Sequence, residues 1–315
     1  MTTWKDDKGF LSFPLVGNHS LEIYNLPFNG YYIMRKIGVI AKKGSKTAID
    51  SVRNLLSFID KKKFKVFVED EIVSNFGVKG YTKQKIVSQA DVIIVFGGDG
   101  TLLSAARLVG NRGIPILGVN LGGLGFITEI GPDEISREII EKTASARCRF
   151  EKRIMLSADV YRRKKKIAKH TALNDVVINK SALARMAELD VHVNNKYVTT
   201  FRADGLIVST PTGSTAHSLS AGGPILYPTL KVFVMTPICP HILTNRPLVL
   251  PDNSVLEISV KNGRDVYLTL DGQVGVPLKV KDRILIRKAD FETKFLQFHA
   301  TDYFQILRKK LKWGE

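Results

Sequence analysis

The sequence is poor in cysteine and contains no long uninterrupted apolar run. Only two cysteines, Cys148 and Cys239, occur in 315 residues, which excludes a disulfide framework and favours a reducing compartment. No apolar stretch reaches the roughly 20 residues that a transmembrane helix needs. Residues 1–9 are polar and charged and do not resemble a secretory signal. We therefore expect a cytoplasmic protein with no membrane partner.

Acidic residues are scarce relative to basic ones. The chain has 47 Lys and Arg against 30 Asp and Glu, a formal net charge of +17. Basic clusters at 61–63, 162–166 and 308–310 lack interleaved aromatic residues, so they indicate solvated faces and no nucleic-acid partner. Hydrophobic residues make up 44% of the chain, which is enough for a sizeable core in one or two domains.

Strand and helix patterns alternate in the first half of the chain. Buried strands are indicated by short apolar runs at 34–41, 64–68, 91–96 and 114–119. Residues 45–59 carry an apolar face at helical spacing. This alternation predicts an α/β domain with a doubly wound parallel sheet at 34–150. Residues 1–33 form an N-terminal extension without a motif, or Met34 is the true start; a chain beginning at Met34 is expected to stay active.

The pattern changes near residue 150. Short alternating or apolar segments follow, and Asn194-Asn195 and Asn262-Gly263 lie where hairpin turns are expected. This predicts an all-β domain at 151–295 with antiparallel strands. The C-terminal segment 296–315 contains a helix-like stretch that could return to pack on the first domain.

The motif Gly97-Gly98-Asp99-Gly100-Thr101 follows a buried strand, and we expect a helix after Thr101. Glycines allow close approach, and backbone N–H groups at a helix N-terminus bind anions. A carboxylate there repels phosphate, so Asp99 is predicted to handle a proton or a cation, as a base or as a partner for Mg²⁺. The alternative is an ordinary turn in which Asp99 caps the helix.

A second motif runs from Asp204 to Pro224. It places seven hydroxyl residues and four glycines in 21 positions after an apolar strand. Hydroxyls and free backbone amides are the groups that ribose and phosphate oxygens require. The sequence therefore predicts a second loop that contacts a nucleotide.

Six segments occur in the order seen in NAD kinases: GGDGT, NDVVI, FRADGLIVSTPTGSTAHSLSAGGPIL, TPICPH, NRPLVLP and DGQ. Over residues 35–315 the chain resembles that family. The resemblance implies transfer of the ATP γ-phosphoryl group to the adenosine 2′-hydroxyl of NAD, giving NADP. It also implies Mg²⁺ or another divalent cation, a homo-oligomer, and a β-rich domain that supplies much of the NAD site. Whether ATP or polyphosphate is the donor stays open.

The resemblance assigns Asp99 as the catalytic base. The NAD-binding positions that it implies are Asp99, Gly100, Asn174, Asp175, Arg185, Arg202, Asp204, Thr215, Ala216, His217, Ser218, Leu219, Ser220, Cys239 and Gln273. Asp175 stands where the family usually has Glu, and His217 where it usually has Tyr. An unperturbed histidine titrates near pH ~6.5, so we expect its protonation to weaken NAD binding between about pH 7.5 and 6.

Simpler readings of these residues remain open. Asn174 and Asp175 could merely begin a strand, Arg185 could be a solvated charge, and Arg202 could pair with Asp204 on the surface. Cys239 could line a core. Two other functions are also open: a lipid or sugar kinase that shares GGDGT, and a non-catalytic NAD(P) sensor, against which the intact Asp99 argues.

Overall fold

The computed structural model of the protein describes residues 34–73, 76, 78–123, 125–144, 149–298 and 302–313. All of these residues belong to one compact unit. The N-terminal extension 1–33 and Cys148 lie outside the described residues, so the dispensability of the extension stays a prediction. None of the described helices is long and apolar enough to cross a membrane.

Within the described residues the first half contains five strands and five α-helices, besides the 3-10 turns Gly110–Arg112 and Pro132–Glu134. The strands are β1 Lys36–Ala41, β2 Lys65–Glu69, β3 Gly80–Tyr81, β4 Val92–Gly97 and β5 Ile116–Asn120. The helices are α1 Lys46–Phe58, α2 Asp70–Val73, α3 Lys83–Gln89, α4 Asp99–Val109 and α5 Arg137–Ala144. The apolar face of 45–59 forms α1 because Ser45 caps its N-terminus and Val52 and Leu55 are buried.

The second half is almost entirely β-structure. Its strands are β6 Arg149–Arg162, β7 Lys165–Ala172, β8 Asp175–Lys180, β9 Ala187–Val193, β10 Lys196–Ala203, β11 Gly205–Ser209, β12 Val232–Ile238, β13 Leu248–Pro251, β14 Leu256–Asn262, β15 Val266–Leu270, β16 Val274–Leu278 and β17 Arg283–Gln297. Two short helices complete it, α6 His217–Ser220 and α7 Tyr303–Leu311.

The parallel strands lie in the order β5-β4-β1-β2-β3, as the doubly wound prediction requires. Strand β4 is buried on both faces. Ile94 and Phe96 pack in one apolar cluster with α1 and α5, whereas Ile93 and Val95 pack in another with α3 and α4. The strand order reverses between β1 and β4. In such sheets ligands bind outside the carboxyl ends of the strands at this point, which is where GGDGT begins.

The β-half forms a second layer. Strands β13-β12-β11-β8-β15-β16 make an antiparallel sheet, and its inner face packs on β6, β9, β14 and β17 around one apolar core. Strand β17 pairs antiparallel with β6 and β14, and also parallel with β5 through Phe295 and Ile116. The parallel and antiparallel halves therefore share one 11-stranded sheet. β6 and β17 run without interruption through residues 150 and 295, where the sequence patterns place domain boundaries.

One of the two predicted hairpin turns is confirmed. Asn194 and Asn195 have φ of 50° and 63° and join the paired strands β9 and β10. The prediction for Asn262-Gly263 was wrong: β14 lies in the larger sheet and β15 in the smaller one, so the turn connects two layers. The C-terminal helix is confirmed as α7, capped by Asp302.

Candidate active site

The GGDGT residues, Gly97 to Thr101, connect β4 directly to α4. A Cβ atom on Gly97 would stand 2.4 Å from the Thr101 hydroxyl oxygen, so only glycine fits there. The helix begins at Asp99, before Thr101 and thus earlier than expected, with Gly98 as its N-cap. Asp99 therefore does not cap the helix; it lies in the first turn, at the positive end of the helix dipole.

The Asp99 carboxylate is held by a loop that the sequence analysis missed. Its two oxygens accept hydrogen bonds from the backbone N–H groups of Phe126 (3.0 Å) and Ile127 (3.3 Å). A Cβ atom on Gly125 would lie 2.4 Å from one of these oxygens, which makes glycine necessary at that position. The signal was present as Gly122, Gly123 and Gly125 directly after an apolar strand. Among the described residues each oxygen accepts a single hydrogen bond, which leaves a lone pair on each for a further partner.

Several hydroxyls of the second loop anchor that loop to the protein. The Thr210 hydroxyl donates to the Leu173 carbonyl (2.6 Å), and the Ser209 hydroxyl to the Asn174 carbonyl (3.1 Å). A Cβ atom on Gly213 would be 2.2 Å from the Asn174 carbonyl oxygen. The loop therefore packs against residues 173–174. The hydroxyls of Ser209 and Thr210 stabilise the loop, whereas the sequence analysis counted them as groups that contact a nucleotide.

The 3-10 turn Thr212–Thr215 and helix α6 carry the remaining predicted residues of this loop. Thr215, Ala216 and Leu219 are partly buried, and Ser220 is exposed. Ser218 is fully buried, and its hydroxyl lies 3.0 Å from that of Thr236, so its side chain supports the helix.

Asp175 and His217 form a polar pair at the start of β8. Asp175 is buried, and one of its carboxylate oxygens lies 3.3 Å from Nδ1 of the half-exposed His217 ring. The hydrogen bond with Asp175 raises the pKa of His217 above its usual value, against an opposing effect of burial. The titration expected between pH 7.5 and 6 therefore moves to higher pH.

Gln273 joins the two halves of the site. Its side-chain amide donates to the carbonyl of Gly100 at 2.7 Å. In the same turn, Asp271 accepts backbone hydrogen bonds from Leu173, Asn174 and Asp175. GGDGT, the start of β8, the second loop and the turn 271–273 are thus linked by direct contacts. The predicted residues in this group are Asp99, Gly100, Asn174, Asp175, Thr215, Ala216, His217, Ser218, Leu219, Ser220 and Gln273.

Four predicted residues lie around the opposite ends of β8 and β11: Arg185 after β8, Arg202 in β10 of the larger sheet, Asp204 before β11 and Cys239 after β12. Asp175 pairs with Ser209 at one end of β8 and β11, whereas Asn179 pairs with Gly205 at the other. Four residues of extended strand separate the ends by about 13 Å.

This second group has few partners of its own. Asp204 pairs with Lys180 at 3.4 Å, in place of the Arg202 pair that the sequence allowed. Arg185 and Arg202 are exposed. Cys239 is exposed as well, with φ of 43°, so it does not line a core.

The described residues contain no group of three His, Cys, Asp or Glu side chains that could hold a metal ion. Mg²⁺ is commonly bound by one or two carboxylates together with substrate phosphates, without a protein cage. A single carboxylate, Asp99, close to an anion-binding helix N-terminus fits a cation of that kind.

Family models match most of the chain. The model of the ATP-NAD kinase N-terminal domain matches residues 37–145, and that of the ATP-NAD kinase C-terminal domain matches residues 173–298. An NAD kinase from Geobacter metallireducens is 47% identical over 90% of this chain and 100% of its own length. An NAD kinase from Solibacter usitatus is 41% identical over 90% of this chain and 99% of its own length.

Two solved structures have the same fold as this chain. A yeast NADH kinase complexed with NADH has a TM-score of 0.82 at 25% identity and covers 90% of this chain and 89% of its own. An NAD kinase from Archaeoglobus fulgidus in complex with ATP has the same fold, with a TM-score of 0.70 at 24% identity over 88% of this chain and 98% of its own. The chain, with its GGDGT loop at the switch point of a doubly wound sheet, belongs to the NAD kinase family.

Proposed function

We propose that Asp99 orients and deprotonates the adenosine 2′-hydroxyl of NAD while the γ-phosphoryl group of ATP is transferred to its oxygen, giving NADP with ADP as the leaving group. The observation that carries this role is the position of the Asp99 carboxylate. It lies at the N-terminus of α4 and is fixed by the N–H donors of Phe126 and Ile127, and no other described residue donates a hydrogen bond to it. A base held in this way can take the hydroxyl proton without reorganising.

The rest of the reaction needs positioning and charge compensation more than covalent chemistry. The backbone N–H of Thr101 already donates to the Gly98 carbonyl (3.0 Å), so the N–H groups of Asp99 and Gly100 are those of the first turn of α4 that can face phosphate oxygens. We propose Mg²⁺ or another divalent cation as a companion of the triphosphate; when bound, it offsets charge on the transferring group. The protein's own contribution is to orient the hydroxyl and accept its proton at Asp99.

We propose that NAD lies along the second loop. Thr215, Ala216, Leu219 and Ser220 would line the adenosine, with Asn174 and Asp175 on the ribose or nicotinamide side. The His217 ring, which contacts Asp175, would stack on or hydrogen bond with the nucleotide. Asp175 is shorter than the usual Glu and fully buried, so we assign it the orientation of His217 as well as a role at the ligand.

The second group, which consists of Arg185, Arg202, Asp204 and Cys239, requires a further proposal. About 13 Å of strand separates it from the first group, so we propose that it contacts NAD bound mainly by another copy of the chain. A homo-oligomer would then complete each site. Mixing Asp99→Asn with Arg202→Ala should restore activity through mixed oligomers, and light scattering should show more than one chain. A monomer with full activity would reject this arrangement.

The function is tested by incubating the protein with NAD, ATP and Mg²⁺ and measuring NADP. Parallel reactions contain a diacylglycerol or fructose 6-phosphate in place of NAD. NADP formation alone supports the proposal, whereas phosphorylation of the lipid or sugar supports the other kinases. Binding of NAD without any product would support the sensor. Replacing ATP by polyphosphate tests whether the second donor is accepted.

We also propose a reducing compartment, the cytoplasm, for this protein. The exposed, unpaired thiol of Cys239 is consistent with it.

A further inference from the structure

Arg107, on helix α4, donates hydrogen bonds to two residues of the turn 271–273. Its guanidinium donates to the Asp271 carboxylate (2.5 Å) and to the side-chain carbonyl of Gln273 (2.5 Å). Arg107 lies eight residues after Asp99, or about 12 Å along the helix. Only 13% of its side chain is exposed. The pair that it forms with Asp271 is therefore largely shielded from water, where charge pairs are strong but are costly to break.

Both carboxylate oxygens of Asp271 accept hydrogen bonds. One oxygen accepts from the backbone N–H groups of Asn174 (2.7 Å) and Asp175 (3.2 Å). The other accepts from the N–H of Leu173 (3.2 Å) and from Arg107. The side chain of Asp271 is fully buried. Among the described residues, Arg107 is the cation in direct contact with this buried carboxylate, and its removal would leave the charge without that partner.

The hydrogen bonds of Gly100, Gln273 and Arg107 form a closed ring of contacts with helix α4. Gly100, in the first turn of α4, accepts a hydrogen bond from Gln273, which accepts one from Arg107 in the last turn of the same helix. Arg107 and Asp271 then lead to the backbone of Asn174 and Asp175. The catalytic loop and the start of β8 come from different halves of the chain, and this ring holds one against the other.

We propose that Arg107 and Asp271 are positioning residues that align Asp99 with the nucleotide held by Asn174 and Asp175. The inference rests on the proposed function, because it concerns the geometry of that same site. Neither residue touches the reacting atoms. Their loss shifts the hydroxyl relative to its base, and a displacement of about 1 Å can reduce turnover about 100-fold. The effect therefore falls on kcat, with NAD affinity little changed.

The test compares Arg107→Met with Arg107→Lys. Methionine keeps the apolar stem but removes all five donors, whereas lysine keeps the charge but lacks the planar fork that reaches two partners. We expect kcat to fall at least about tenfold in Arg107→Met, with KM for NAD within about threefold of wild type. Arg107→Lys should recover part of the loss. Arg112→Met is the matched control, because among the described residues Arg112 donates to the carbonyls of Leu108 and Val109 and to none in the turn 271–273.

A pH profile separates positioning from general loss of structure. Burial raises the pKa of Asp271, and the hydrogen bond from Arg107 opposes that rise. The acid limb of kcat should therefore move to higher pH in Arg107→Met. His217, which is paired with Asp175, also interacts electrostatically with Asp271, so the profile is measured in a His217→Tyr background.

Three results would overturn the inference: an Arg107→Met kcat within twofold of wild type, equal effects of the Arg112 control, or an unmoved acid limb. If Arg107→Met does not fold, Gln273→Leu takes its place. That side chain is exposed and its loss breaks the same ring at Gly100, so an unchanged kcat rejects the proposal. A wild-type protein that makes no NADP would instead refute the proposed function, which keeps the two failures distinct.

Discussion

Asp99→Asn separates a catalytic base from a merely structural carboxylate. The two Asp99 oxygens accept from Phe126 N–H at 3.0 Å and from Ile127 N–H at 3.3 Å. An asparagine keeps one acceptor oxygen, which would face Phe126, and turns its NH₂ group towards the N–H of Ile127. An unmade hydrogen bond costs about 1–3 kcal/mol when fully buried, and Asp99 is only partly buried, so we expect about 1 kcal/mol.

The two roles predict effects of different size. A structural loss of about 1 kcal/mol changes an equilibrium about fivefold and would be seen in NAD affinity. Removal of a general base lowers kcat about 10²–10⁴-fold, equivalent to about 2.7–5.4 kcal/mol of activation free energy. We therefore expect kcat for NADP formation to fall at least about 100-fold, while the Kd for NAD from calorimetry changes less than about tenfold.

Asp91→Asn is the matched control for this measurement. Asp91 precedes the same strand and accepts hydrogen bonds from the N–H groups of Arg35 (3.0 Å) and Lys36 (2.9 Å) through a single oxygen. An asparagine can keep both bonds, so turnover should stay within about twofold of wild type. The reasoning about Asp99 fails if Asp99→Asn retains more than about a tenth of wild-type kcat.

Four further predictions concern the second loop and the chain start. Gly213→Ala should lower stability by about 1–3 kcal/mol in chemical denaturation, because its Cβ would stand 2.2 Å from the Asn174 carbonyl oxygen; an unchanged midpoint contradicts this. Since Asp175 raises the pKa of His217, KM for NAD should rise as pH falls through a pKa above about 6.5, and His217→Tyr should flatten the curve. The same pair adds stability that is complete below about pH 6.5 and lost as pH rises through the folded pKa, a dependence that His217→Tyr should lack. A chain beginning at Met34 should fold and form NADP at the wild-type rate; loss of activity would show that the extension is needed.

The features that the sequence predicted well depend on local patterns. The continuous apolar run of β4 and the glycines after it sufficed to place GGDGT at the end of a buried strand. The Asn194-Asn195 turn was equally local, because positive φ at two successive residues is a property of the turn itself. Asn262-Gly263 has the same chemistry but connects two sheets, since strand pairing is decided by distant residues.

The candidate site was predicted less completely. The sequence shows which polar side chains are present, but not which of them already form hydrogen bonds within the protein. Ser209 and Thr210 were counted among nucleotide-binding hydroxyls, yet both donate to carbonyls at 173–174. The loop after β5 was missed although it carries three glycines, because nothing in the sequence connects Gly125 with Asp99. That pairing exists only once β4 and β5 lie side by side.

The shared sheet explains why a catalytic loop from one half can depend on a turn from the other. Strand β17 pairs with β5 through Phe295 and Ile116 and with β6 over most of its length, so the two halves cannot rotate freely about a linker. Helix α4 leaves the neighbouring strand β4, and the turn 271–273 belongs to the layer packed on β17. Because the two halves are fixed relative to each other, the hydrogen-bonded ion pair between Arg107 and Asp271 can determine the alignment of Asp99. A hinge between the halves would make such a contact intermittent, whereas the shared sheet keeps the turn 271–273 in place against helix α4.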